Sequence, residues 1–224
     1  MCGIAGYSLS SGSRVDRTLV AQALLAGIAE RGADAVGYAY RGRGDASPVV
    51  TKQRTPAREL LEQVQVPGHA TELLADFSCA RAEPRMTVDS EAIFALAAHS
   101  ENDPCALEAL TGAMATAWLD QREPGVVFAA RGVGRPLWLG RGRDEIFFAS
   151  TRDALEVVAE YAGVRLRVSE VREGTFFTLQ AGRVARTSRF RPDTNYVEKS
   201  PLPTVRAPGE SAHCLSRLAA ITAV

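Results

Sequence analysis

At 224 residues the chain suffices for one large domain or two small ones, and 46% hydrophobic against 23% charged residues is ordinary for a globular core. Lys+Arg and Asp+Glu both number 26, so no basic excess argues for nucleic acid or an anionic membrane as partner. The longest apolar runs fall far short of a membrane span, and no signal peptide is visible. Cys2, Cys79, Cys105 and Cys214 are widely spaced and form no Cys-x-x-Cys, which argues against a disulfide scaffold or a zinc site.

Residues 4–9 read as a strand, with Gly6 a point of close backbone approach. Asp16 is placed to cap a helix in which Leu19, Val20, Ala23, Leu24, Gly27 and Ile28 recur at helical spacing, ending near Arg31-Gly32. Residues 36–41 and 48–53 form a hairpin. Residues 56–65 read as a helix with a first-turn proline, broken at Pro67-Gly68. A short helix is expected from residue 71 to 75, a loop over 81–87, and helices from Asp89 and from Pro104. After Gly112 the period changes to two. Strands are expected over 114–120, 125–131, 137–140 and 145–149, a helix over 151–161, and strands over 166–171, 175–180 and 183–190. From Arg191 the composition turns to Pro, Asn, Ser and Thr, which reads as a tail or linker with a weak amphipathic helix at 210–221. The pattern predicts a mixed α/β fold.

Chemistry concentrates at the start of the chain. Removal of Met1, which the small Cys2 side chain permits, leaves a thiol and a free α-amine on one residue. An α-amine titrates at about 7.7–8.0, so a useful fraction is neutral near pH 7 and can take the thiol proton. A free thiol titrates near ~8.5 and needs such help to attack a carbonyl. Gly3 lets substrate approach the main chain. The alternative for Cys2 is a buried cysteine behind an ordinary start.

A second motif, Arg31-Gly32-Ala33-Asp34-Ala35-Val36-Gly37, follows the first helix. Together with Met1-Cys2-Gly3-Ile4 it resembles the class II glutamine amidotransferases, which are N-terminal-nucleophile hydrolases. Further stretches are similar to that family: Asp89-Ser90-Glu91, Leu110-Thr111-Gly112, Ala130-Arg131-Gly132, Ala149-Ser150 with Ala154-Leu155, and Glu173-Gly174. The resemblance implies two stacked antiparallel sheets flanked by helices, with one amidotransferase domain over residues 1–190 and a tail or linker over 191–224. It implies Cys2 as nucleophile and Asp89 as the contact for the glutamine α-amine. Arg31 either caps the helix end or, with Gly32, orders the site. Asp34 is read as structural, bonding turn amides. The implied reaction is hydrolysis of the glutamine side-chain amide through a Cys2 thioester. Ammonia would pass to an acceptor in a synthetase or transferase domain or subunit. A reducing cytosol suits such a thiol, and no cofactor is expected.

The resemblance has a gap. Family members carry a Gly-His-x-Arg strand, whose arginine binds the glutamine α-carboxylate, and a His-Asn-Gly strand that builds the oxyanion hole. No His-Asn-Gly occurs here. Arg81 lies only a few residues before Asp89, and the family spacing places Glu72-Leu73-Leu74 on the helix that follows the missing block. A block of core strands therefore reads as missing near His69, either as a natural deletion or through an incomplete sequence. Intact motifs on both sides favour the latter. Low activity of this chain is the expectation. The alternative function is an inactive glutamine-sensing or regulatory module. His69, His99 and His213 show no metal-ligand spacing. Gly132-x-Gly134 and Gly140-x-Gly142 are turn glycines, not a phosphate loop. Arg131, Arg135, Arg141 and Arg143 are solvated turn charges or an anion patch.

Overall fold

A computed structural model describes residues 3–32, 35–76, 89–198 and 204–223. Among these residues the large sheet has seven strands and the small sheet four. At the middle of the large sheet is β1 (Ile4–Leu9), followed by α1 (Arg17–Ile28). The Asp16 carboxylate accepts from the Leu19 amide at 3.0 Å, the cap that the sequence predicts. The hairpin of β2 (Val36–Gly42) and β3 (Val49–Gln53) comes next, then the single turn α2 (Ala57–Leu60) and β4 (Ala70–Asp76).

The second half runs through α3 (Asp89–His99), β5 (Ala115–Leu119), β6 (Val127–Arg131), β7 (Trp138–Arg141) and β8 (Glu145–Ala149). It ends with α4 (Arg152–Ala162), β9 (Arg167–Glu170), β10 (Thr175–Gln180), β11 (Arg183–Arg189) and α5 (Glu210–Thr222). The large sheet runs β3-β2-β4-β1-β8-β7-β9 and the small one β11-β10-β6-β5, with every ladder antiparallel.

Strand alternation builds four layers. On β1, Ala5, Tyr7 and Leu9 face one way and pack with Leu24, Leu25 and Ile28 of α1, Leu155 of α4 and Leu218 of α5. On the other face, Ile4 of β1, Leu74 of β4 and Phe148 of β8 meet Ala129 of β6 and Phe177 of β10 between the sheets. Outside the small sheet, Trp118, Phe128 and Phe176 pack with Ala97 of α3. The result is a helix–sheet–sheet–helix sandwich, two stacked antiparallel sheets flanked by helices as the resemblance implies. Gly6 is a close approach, as expected: a Cβ there would lie 2.2 Å from the Leu73 carbonyl and 2.5 Å from the Phe148 ring.

One element departs from the sequence reading. Residues 71–75 form strand, not helix: β4 is bonded to β1 on one side and β2 on the other. Glu, Leu and Ala favour helix intrinsically. Here that preference loses to two complete ladders and to burial on both faces. Leu73 and Ala75 enter the helix-side core and Leu74 the space between the sheets. Placing Glu72-Leu73-Leu74 on a helix is therefore corrected, and the large sheet is continuous across the place where the break was expected. The helix patterned at 210–221 forms as α5, with Cys214 and Leu218 fully buried in the core beside α1.

Candidate active site

The start of β1 is fixed from both sides. The Ile4 amide donates to Ser150 Oγ at 3.3 Å, and the Ser150 amide donates to the Ile4 carbonyl at 2.8 Å. Gly3 is buried against the end of α1. A Cβ on it would lie 2.8 Å from Arg31 Cβ and 2.9 Å from the Ile28 carbonyl, so no larger residue fits without movement. Arg31 is itself buried, 5% exposed, in the 3-10 turn 29–31 that continues α1. Gly32 follows in extended conformation, φ −142° and ψ 152°. The structure thus brings Gly3, Arg31 and Gly32 together. Cys2 and Asp34 lie outside the described residues, as do Cys79 and Arg81. Asp89 is the first residue of α3, and its side chain is likewise outside the description.

Register shows what else shares this end of the sandwich. Ile4 and Gly37 both pair with Asp76, while Ala5 and Trp138 both pair with Ala149. The starts of β1, β2 and β7 and the ends of β4 and β8 therefore meet there. In the small sheet, Arg131 pairs with both Ala115 and Thr175. Its guanidinium donates to the Val171 carbonyl, and the Val171 amide donates to the Leu137 carbonyl just before β7. Both sheets accordingly frame the end at which Cys2 is attached.

The turn arginines at this end are engaged. Arg131 pairs with Glu170 at 2.6 Å, and Arg135 donates twice to Glu198, at 2.6 and 3.0 Å. The Arg135 bonds hold the Glu198 carboxyl below the ordinary carboxylate range. Of the described cysteines, Cys214 is no candidate nucleophile, since burial pushes its thiol up to about 12. Among the described residues no cluster of three or more His, Cys, Asp or Glu side chains could hold a metal ion, and no helix is long and apolar enough to cross a membrane.

Sequence reasoning missed Ser150 as the clasp on β1. It also missed Glu30, whose partners lie in the C-terminal segment. No local pattern announces either contact, because the partners are far apart in sequence.

Residues 69–157 match the profile of a glutamine amidotransferase domain. No curated protein matches the chain. Among solved structures, a glutamine phosphoribosylpyrophosphate amidotransferase from B. subtilis superposes with a TM-score of 0.64 at 16% identity, covering 84% of this chain and 49% of that one. One described as the allosteric regulatory enzyme of purine biosynthesis gives 0.61 at 15% identity, covering 84% and 49%. A glutamine aminotransferase class-II domain protein from Silicibacter pomeroyi gives 0.54 at 18% identity, covering 85% of this chain and 100% of that one. The chain spans about half the length of the first two. In sequence over residues 69–157 and in fold over most of its length, the chain is similar to the class II glutamine amidotransferase domains.

Proposed function

We propose that the chain is a glutaminase domain that works through Cys2. The observation that carries this reading is the setting of Gly3. It joins Cys2 to the central strand and packs on Arg31 at the end framed by both sheets. In the proposed step the Cys2 α-amine takes the thiol proton, and the thiolate adds to the carbonyl carbon of the glutamine side-chain amide. The ammonium then returns its proton to the departing nitrogen. Ammonia leaves and a γ-glutamyl thioester remains. Water gives a proton to the α-amine, its oxygen attacks the thioester, and the thiolate is expelled with glutamate as product.

The strand β4 also revives Arg81 as the arginine for the glutamine α-carboxylate. Two considerations weigh against Arg81, its closeness to Asp89 and a spacing that puts residues 72–74 on a later helix, and the second no longer holds. With β4 a strand ending at Asp76, Arg81 stands five residues on, and Ser78-Cys79-Ala80-Arg81 is the stretch to set against the family's Gly-His-x-Arg. Arg31 and Gly32 would order the site, and Asp89 would hold the α-amine. The sequence still lacks His-Asn-Gly, and each lost oxyanion donor costs about 10²–10³ in rate. Turnover by this chain is therefore expected to be slow while Cys2 stays reactive. Ammonia would serve an acceptor domain or subunit. The test is mass spectrometry after treatment with a glutamine-like chloroketone. One adduct, on Cys2 and absent in Cys2→Ala, supports the reading. An unmodified chain refutes it in favour of a glutamine-binding module without chemistry.

A further inference from the structure

The 3-10 turn 29–31 that continues α1 has carbonyls without helical partners, as every helix end does. One of them is met by a distant segment. The Glu30 carbonyl accepts from the amides of Arg206 at 2.7 Å and Ala207 at 3.2 Å. The Glu30 carboxylate accepts from the Gly209 amide at 2.9 Å. Gly209 is the N-cap of α5, at φ 79°, and has no capping side chain of its own. Glu30 thus supplies an acceptor and a negative charge where the dipole of α5 is positive. One residue fixes the end of α1 and the start of α5 together.

The neighbouring contacts make this junction rigid. Glu210 is buried, and its carboxylate binds the Arg58 amide at 3.0 Å and the Arg58 guanidinium at 2.5 Å. Further along, Arg217 pairs with Glu62 at 2.6 Å, and Leu218 is fully buried in the core shared with α1. Residues 206–209 are therefore anchored on the α5 side. Glu30 transmits that anchor to the next residues in the chain, Arg31 and Gly32, and Arg31 is the residue against which Gly3 packs.

We propose that Glu30 is a positioning residue of the glutaminase site: it clamps residues 206–209 to the turn that carries Arg31 and Gly32, so the C-terminal segment is part of the scaffold that places Cys2. This rests on the glutaminase reading above. A chain ending at residue 190 would keep every strand and lose this clamp.

The experiment compares full-length wild type, Glu30→Ala, Glu30→Gln and Leu107→Ala. The last truncates the core outside the small sheet, away from α1 and α5. Two readouts are taken: the kinact and KI for chloroketone labelling of Cys2, and amide hydrogen exchange over residues 29–37. Glu30→Ala is expected to lower kinact about tenfold with KI little changed, as misplacement of a reacting group does, and to speed exchange at 29–37. Glu30→Gln, which keeps an acceptor oxygen, is expected to recover most of the rate. Leu107→Ala should lower the Tm while labelling at the wild-type rate. Wild-type labelling by Glu30→Ala, or equal slowing by Leu107→Ala, overturns the proposal. Should wild-type Cys2 resist the reagent altogether, the glutaminase reading fails. The clamp itself is then decided by exchange alone, and unchanged protection at 29–37 in Glu30→Ala refutes it.

Discussion

Replacing Gly3 by alanine probes the site where its geometry is tightest. The added Cβ would stand 2.8 Å from Arg31 Cβ, 2.9 Å from the Ile28 carbonyl oxygen and 3.1 Å from Ile28 Cβ. Carbon atoms pack best at about 3.5–4.0 Å, so the strand start and the turn must part by about 0.7–1 Å. Neither side yields cheaply. One partner is a backbone oxygen, the others are the roots of buried side chains, and β1 is clasped by two hydrogen bonds to Ser150. Overpacking of this kind costs about 1–3 kcal/mol of stability. A displacement near 1 Å at the residue next to a nucleophile costs up to about a hundredfold in rate. Gly3→Ala is therefore expected to stay folded with a lowered Tm and to label at Cys2 with the chloroketone at least tenfold more slowly. Its reaction with iodoacetamide, which needs no bound geometry, should change far less. Chloroketone labelling at the wild-type rate would refute the claim that contact between Gly3 and Arg31 places the thiol.

Three further outcomes are expected. Intact mass should show loss of Met1, and a variant carrying a few uncleaved residues before Cys2 should fold but resist the chloroketone, since an acylated nitrogen is not basic; labelling of the extended chain would exclude the α-amine as base. Asn102→Ala should cost about 2–5 kcal/mol in urea unfolding, because it strands the buried Trp118 indole N–H now bonded to Asn102 Oδ1 at 2.9 Å and puts alanine at φ 62°; a loss under about 1 kcal/mol would refute it. Glu72 is 2% exposed, and burial raises its carboxyl above the ordinary 4.5 against the opposing Thr71 bond and the Arg41 charge. The native state therefore binds the proton more tightly than the unfolded chain, and stability falls as pH rises from 4.5 through the raised folded value. The Tm advantage of Glu72→Gln should grow as pH rises above 4.5, and a pH-independent difference would count against the buried carboxylate as its source.

What the sequence showed depended on whether local and long-range preferences agreed. The strand 175–180 and the strand 145–149 come out with the expected bounds, since their apolar residues and flanking turns point the same way. The helix expected over 151–161 forms over Arg152–Ala162: the hydroxyl of its N-cap Thr151 accepts from the Ala154 amide at 3.3 Å, and Gly163 ends it at φ 63°. At 71–76 the two disagree. Glu72-Leu73-Leu74-Ala75 has no period-two alternation, because a strand between two others is apolar on both faces and reads like a helix segment. The site was legible only in part. Arg31 and Gly32 were visible as a motif, yet their contact with Gly3 and their link to residues 206–209 arise from pairings that no window of sequence contains.

These two contacts bear on how such a site is held. An N-terminal nucleophile sits at a chain end, where order is ordinarily lowest. Here the residue after Cys2, the proposed nucleophile, is enclosed: β1 is central in its sheet, Ser150 clasps the first strand residue, and Gly3 is shut against Arg31. Arg31 belongs to a helix end, the second place where backbone groups lack partners. That deficit is met at the Glu30 carbonyl by the amides of Arg206 and Ala207, in a segment tied through Glu210 to α2. Each weak point is thus closed by an element distant in sequence. The stiffness at Gly3 depends on both closures, so loosening the C-terminal segment and enlarging Gly3 should impair the same property, the placement of Cys2. A double variant Gly3→Ala/Glu30→Ala should then slow labelling by less than the product of the two single effects, because residues acting on one coupled element are not additive.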